Sequence, residues 1–323
     1  MKEFTIQWNI TDECEFNCNY CYLKQYGKFN PINSDIILSN IKEFRHNFDF
    51  TKINLTGGNP MFHKDFEKIV ETLFEKNTEI KILGNPIKEN LKSKIQSVAK
   101  YVDYYQLSLD GTKGHLLNRG TNNVNDIWET VELLNNLNIK PIIMLTLTSA
   151  NSDEVITVLE ESIKRKVHSF TFSRVISDKK HCSNTTLINN YKETLDTIFN
   201  FLVDKDVQIF DFKDNLWKLF LYEQGLYTPS DGGKGCGVGI SYIGIMPNGD
   251  VYPCSRIPIN LGNLQDIQLI DIWRNNSLLS KFRKFDSYKK CKTCSLVNVC
   301  RGCPAIAFAE LGDCFEADPY CWK

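Results

Sequence analysis

Apolar and polar positions along residues 4–175 follow two alternating patterns. Short strand-like segments occur at 4–10 (FTIQWNI), 52–57, 79–84, 104–110, 140–148 and 168–175. Between them, stretches such as SDIILSNIKEFRHNF, DFEKIVETLFEKN, NVNDIWETVELLNNLN and SDEVITVLEESIKRK place apolar residues at i, i+3 and i+4, the period of an amphipathic helix. Asn125 and Ser152 are the expected N-caps. Six β–α repeats predict a parallel sheet with helices outside, either a partial TIM-like barrel or an open doubly wound sheet. In both, chemistry gathers at the carboxyl ends of the strands.

The pattern then changes. Residues 184–225 read as helices, TLINNYKETLDTIFNFLVDK and then DFKDNLWKLFLYEQ. The glycine-rich SDGGKGCGVG marks a boundary. Beyond it lie a hairpin-like ISYIGIMPNGDVYPC with Asn-Gly at its turn, a helix around DIWRNNSLLSKFRKF, and a cysteine-dense tail.

Composition adds three constraints. An apolar content of 42% over 323 residues describes a globular chain with a large core. Near-balanced charge, 38 basic against 39 acidic residues, gives no electrostatic reason for a nucleic-acid or anionic-membrane partner. The first residues lack a signal-peptide pattern, and PIIMLTLTSA is too short and polar to span a membrane. A cytoplasmic location is expected, a reducing compartment in which the 12 cysteines do not form stable disulfides. Three fall at 14–21, one at 182 and eight at 236–321, so two metal-binding regions are expected.

CEFNCNYC, with Cys14, Cys18 and Cys21, directly follows the first strand. Thiolates suit zinc and iron–sulfur clusters alike. A zinc knuckle would borrow a fourth ligand, whereas three ligands on a [4Fe–4S] cluster leave one iron open for chemistry. The spacing, with Tyr20 before the last cysteine, resembles the radical S-adenosylmethionine (SAM) enzymes. The resemblance implies a partial (β/α)6 barrel in which SAM chelates the open iron. It also implies reductive cleavage to a 5′-deoxyadenosyl radical that abstracts a substrate hydrogen.

Further segments carry the same resemblance. Gly57, Gly58, Asn59 and Pro60 sit where the family has Gly-Gly-Glu-Pro, which holds the SAM amino group, and Asn59 departs from that pattern. Ser108 and Asp110 in LSLDG, His115 and Arg119 in HLLNRG, and Arg174 ending FTFSR are candidates for SAM or substrate contacts; Asn85 is a further strand-end residue.

In the tail, twelve residues separate Cys236 from Gly249 and four separate Gly249 from Cys254. Cys291-x2-Cys294-x5-Cys300-x2-Cys303 follows, and then Cys321. Paired Cys-x2-Cys units alone also suit a zinc ribbon. The full spacing resembles the SPASM extension of radical SAM enzymes, a small cysteine-rich α+β domain with two auxiliary [4Fe–4S] clusters. The resemblance implies one cluster on Cys291, Cys294, Cys300 and Cys321, and another on Cys236, Cys254 and Cys303. The latter has an open iron or a distant fourth ligand such as Cys182; Cys314 fits no ligand position and reads as a free thiol. The expected division is a barrel over 1–203, a helical bridge over 204–230 and the cluster domain over 231–323.

The family habit implies peptide maturation: a thioether or other crosslink, or epimerisation, in a ribosomally made peptide. It also implies an electron donor such as flavodoxin or ferredoxin. The chain starts at its first strand, so leader-peptide recognition is expected from a separate protein, a partner enzyme or the barrel. Ser255 stands where formylglycine-forming members have Asp, which argues against that activity. The tail CRGCPAIAFAELGDCFEADPYC also resembles radical SAM enzymes of haem biosynthesis, a second class. A non-catalytic iron–sulfur or zinc protein is the third.

Overall fold

A computed structural model describes residues 2–176, 188, 190–211, 213–231 and 235–323. Cys182 lies outside them. The six expected strands are β1 (Glu3–Thr11), β2 (Phe50–Gly57), β3 (Thr78–Leu83), β4 (Tyr104–Ser108), β5 (Lys140–Leu147) and β6 (Ser169–Arg174). A two-residue strand, β7 (Phe210–Asp211), follows, where the sequence pattern predicts helix. The expected hairpin forms β8 (Tyr242–Ile245) and β9 (Asp250–Tyr252), and β10 (Gly262–Asn263) adds to it. The helices are α1 (Ser34–Arg45), α2 (Phe66–Leu73), α3 (Glu89–Val98), α4 (Lys113–Arg119), α5 (Val124–Asn136), α6 (Val155–Lys164), α7 (Tyr191–Asp204), α8 (Leu216–Glu223), α9 (Leu269–Asn275), α10 (Ser277–Arg283) and α11 (Pro304–Leu311).

β1 to β7 pair in sequence order, all parallel, and the sheet does not close. This is a partial barrel. β8 pairs in parallel with β1, aligning Thr5 with Tyr242 and Trp8 with Ile245. The C-terminal hairpin thereby extends the same sheet. That pairing brings the segment after β9, which carries Cys254, beside the strand that leads into Cys14.

Side-chain alternation on the strands separates two environments. Phe4, Ile6, Trp8 and Ile10 of β1 are buried on the helix side, where Phe4 meets Phe44 of α1 and Trp273 of α9 edge-on at 4.9 and 4.7 Å. Each such side chain contributes about 1.5–3 kcal/mol by burial. The opposite face presents Thr5 and Gln7 to the lumen, as β2 presents Lys52 and Asn54 and β3 presents Glu79 and Lys81. The barrel interior is polar for this reason.

Two expected caps are displaced. Asn125 lies inside α5, and Asn123 takes the cap position while its Oδ1 meets His115 Nε2 at 2.7 Å. Ser152 lies in the turn before α6, and Glu154 precedes that helix. The Glu154 carboxylate instead accepts from the backbone N–H groups of Thr112, Lys113 and Gly114 at the start of α4 (2.6–3.2 Å). Among the described residues no helix is long and apolar enough to cross a membrane.

Candidate active site

Cys14, Cys18 and Cys21 lie on the loop leaving β1. Cys14 is exposed and the other two are half-buried. Two glycines fix this loop. A Cβ on Gly57 would fall 2.0 Å from the Thr11 carbonyl oxygen, and one on Gly58 would fall 2.0 Å from that of Glu13. Only glycine permits this approach, and it lets Gly58 N–H bond to Thr11 O (2.8 Å) and Asn59 N–H bond to Glu13 O (2.7 Å). Pro60 opens a short 3-10 turn whose N–H at Met61 is capped by Asn59 Oδ1.

Asn59 is fully buried, and its amide donates to both oxygens of Glu15 (3.1 and 3.3 Å). Asn85 donates to Glu15 Oε2 at 2.9 Å and to Cys14 Sγ at 3.4 Å. A carboxylate thus stands against position 59 although residue 59 itself carries none. Glu15 was not singled out in the sequence, where the signal was the acid one place after Cys14 combined with the missing acid at 59.

Ser108, at the end of β4, lines the cavity described below, as do Tyr20, Arg119 and Arg174. Asp110 is completely buried. Its carboxylate accepts from the Tyr20 hydroxyl, from Arg119 Nε (2.9 Å) and from Thr146 N–H (2.8 Å). It ties the cysteine loop to β5. The Arg119 guanidinium lies 5.4 Å from the Tyr20 ring centroid and reaches Cys18 Sγ at 3.9 Å. His115 is buried behind this group; burial, then the Arg119 charge, lowers its pKa, and Asp110 N–H donates to its Nδ1.

Arg174 serves a different end. It is buried, pairs with Asp214 (2.7 and 3.2 Å) and with Asp318 (2.8 and 2.7 Å), and stacks against Tyr191 and Tyr320. Asp318 also accepts from Cys303 N–H (2.8 Å) and its carbonyl from Cys321 N–H (2.9 Å). Arg174 therefore joins β6 to the cysteine-rich tail through four hydrogen bonds to two carboxylates.

The thiols fall into three sets by the charges each feels. Cys18 feels Cys21 and Cys14. Cys236 feels Cys303 and Cys254. Cys291 feels Cys321 and Cys294, and Cys300 feels Cys321 and Cys291. Cys314, 2% exposed just beyond α11, feels Cys254 and Cys303 and belongs to the small core against which Cys236, Cys254 and Cys303 pack. Burial pushes Cys18 up to about 11 and Cys236 and Cys300 up to about 12. These thiols are neutral at pH 7 until a metal displaces their protons.

One cavity of about 1020 Å³ is lined by the first set and by the second set, Cys236, Cys254 and Cys303. A smaller void of about 30 Å³ is lined by Cys291, Cys294, Cys300 and Cys321. The donors fit iron–sulfur clusters: three all-sulfur groups, each around open space. Among the described residues no three Cys, His, Asp or Glu side chains converge on a single ion.

Such a frame, a partial barrel with thiol sets around one polar cavity, defines an iron–sulfur protein with room for an organic ligand. Residues 8–161 match the model of the radical SAM superfamily and residues 236–295 that of the SPASM iron–sulfur cluster-binding domain. The chain is a radical SAM protein with a SPASM domain, and its cofactors are [4Fe–4S] clusters and SAM.

An AdoMet-dependent heme synthase of Oleidesulfovibrio alaskensis is 22% identical over 98% of this chain and 86% of its own length. One from Methanosarcina barkeri is 37% identical over 89 residues, 27% of this chain and 26% of that protein. The mycofactocin maturase MftC of Mycolicibacterium smegmatis is 24% identical over 98% of this chain and 82% of its length. Among solved structures, SuiB of Streptococcus suis bound to S-adenosylmethionine matches with a TM-score of 0.80 at 18% identity, over 100% of this chain and 78% of that one. The same protein bound to its precursor peptide SuiA matches at 0.77, with 18% identity over 99% and 75% of the two chains.

Proposed function

We propose that the chain abstracts hydrogen from a peptide and so matures a ribosomally made precursor, by crosslinking or epimerisation. The observation that carries this reading is the shared cavity: the first and second cysteine sets face the same space. Cys14, Cys18 and Cys21 hold the cluster to which SAM binds; when bound, that pair supplies reductive cleavage to a hydrogen-abstracting radical. Gly57 and Gly58 hold the cysteine loop close to β2. Asn59 and Asn85 position Glu15 beside Cys14. Tyr20, Ser108 and Arg119 border the SAM site, and Asp110 holds Tyr20 and Arg119 in place.

Cys236, Cys254 and Cys303 hold one auxiliary cluster across the cavity, and Cys291, Cys294, Cys300 and Cys321 hold the other. Ser255 is buried, and Gln7 Nε2 and Asn9 Nδ2 donate to its Oγ (3.1 and 3.2 Å), so it braces the Cys254 segment against β1 and is no base. The division at 203 and 230 accompanies this reading, with the β1–β8 pairing as the joint. A flavodoxin or ferredoxin supplies the electron.

A second reading has one observation in its favour: the full-length relatives include haem synthases, so a tetrapyrrole side chain is the alternative substrate. Anaerobic reconstitution is expected to load about three clusters, or roughly twelve irons, and to yield 5′-deoxyadenosine under reductant. Iron near four per chain overturns the two auxiliary clusters. A short Cys-rich peptide encoded beside this chain should lose about two mass units on crosslinking or exchange an α-hydrogen on epimerisation. A tetrapyrrole that is turned over while the peptide is not overturns the peptide reading.

A further inference from the structure

We propose that Lys213 and Arg256 form a carboxylate-binding subsite that seats the substrate in the cavity. The inference rests on the reading that substrate occupies the space between the first and second cysteine sets.

Both side chains line that cavity. Lys213 follows β7 and Arg256 lies two residues after Cys254, so the pair comes from opposite ends of the extended sheet. Among the described residues neither side chain makes a hydrogen bond or an ion pair; the Lys213 backbone N–H donates to Asp211 O. The other cavity-facing arginines differ: Arg119 is held by Asp110, and Arg174 by Asp214 and Asp318. Lys52 reaches Glu3 at 3.5 Å, and Lys81 lies over the Tyr104 ring.

Lys213 is solvent-exposed at the cavity wall, with its side chain unpaired among the described residues. Desolvation by the surrounding cavity wall, then Arg256 and Lys81, lowers its pKa to about 8, against the opposing pull of Asp211 and Cys254. At neutral pH it remains largely charged. Two neighbouring cations, neither of them in an ion pair, are mutually repulsive. An anion between them removes that repulsion and gains charge-assisted hydrogen bonds. A guanidinium fork beside a point-charge ammonium suits a carboxylate. The acid would come from a peptide side chain or from the side chain of a tetrapyrrole. Placement next to Cys254 would hold the remainder of the substrate toward Cys14, Cys18 and Cys21.

The test uses the anaerobically reconstituted holoenzyme with SAM and two pairs of probes: haem against its dimethyl ester, and acetyl-Gly-Glu-Gly-amide against its Gln counterpart. Dissociation constants come from equilibrium dialysis, and iron is counted in the same samples. One acid is expected to bind about tenfold tighter than its neutral partner, and which acid does so identifies the source. The Lys213→Met/Arg256→Met double variant should erase the difference while keeping its iron. Should that variant not fold, Lys213→Gln alone decides, with a smaller expected drop. Equal binding of acid and neutral probe, binding of neither acid, or discrimination that survives the substitutions overturns the subsite. Loss of auxiliary iron in the variant overturns it too, because the cations then serve as counter-charge to a cluster. Failure to cleave SAM at all is a separate result and strikes the broader reading.

Discussion

The loop that carries Cys14 and the tail that carries Cys303 hold the same kind of ligand in opposite ways. Cys14 is exposed, and its loop is fixed by backbone contacts to Gly58 and Asn59 and by amide side chains around Glu15. Cys303 sits at the head of α11 with its N–H on Asp318, a carboxylate bound in turn by fully buried Arg174. Both face the cavity, but the first leaves Cys14 exposed, whereas the second backs a half-buried Cys303 with a buried ion-pair network. A site that exchanges a small cofactor needs access, whereas one that keeps a cluster through many turnovers needs a rigid, dry wall. The two regions also differ in where charge lies: one carboxylate held by two neutral amides at the loop, a buried cation between two buried anions in the tail.

The largest expected effect tests the tail. Arg174→Met leaves Asp214 and Asp318 buried without their cation, a loss of about 3–5 kcal/mol. Thermal unfolding should fall sharply, and iron should be lost from the tail while the Cys14 loop keeps its own. A variant that melts like the parent and retains its full iron breaks the comparison, because the buried network would then be incidental to the cysteine geometry.

A smaller effect is expected at the loop. Asn59→Glu brings a second carboxylate against Glu15 in a fully buried position. Like charges sharing a site raise one pKa and cost about 1–3 kcal/mol when a donor is also lost. SAM affinity should drop, and Glu15→Gln in the same chain should restore it. Rescue separates electrostatic conflict from simple crowding. Without rescue, Glu15 is not what makes asparagine suit position 59.

Much of the frame was legible because it is local. Alternation and helical periodicity located six strands, and cysteine spacing located three ligand sets, since both signals repeat over a few residues. β7 escaped because two residues carry no period. The β1–β8 pairing escaped because parallel partners more than 230 residues apart leave no local trace. Candidate polar residues were identified by type and strand-end position, which cannot say what each one faces. Asp110 and Arg174 turned out to be held by protein partners. Lys213 and Arg256, with no motif around them, depend on the far ends of the sheet meeting across the cavity.

The smallest effect concerns alkali and the cluster-free chain. Its thiols have an ordinary pKa of 9.0; in the fold, burial carries Cys18, Cys291 and Cys303 to about 11 and Cys236, Cys300 and Cys314 to about 12. The unfolded chain therefore releases these protons first. Stability is fully present below pH 9 and falls as pH rises toward 11 and 12. Lys213 works in the other direction between 8 and its ordinary 10.5, but it is one group against several thiols. Denaturant midpoints at pH 8 and pH 10 should thus diverge for the cluster-free chain. They should stay close once clusters are loaded, because bound thiolates have no proton to lose. Replacing Cys14, Cys18 and Cys21 by serine should leave most of the slope, since five of the six thiols raised to about 11 or 12 lie in the tail. A slope that vanishes with those three replacements would reverse the comparison and make the loop, not the tail, the place where burial weighs most on the sulfurs.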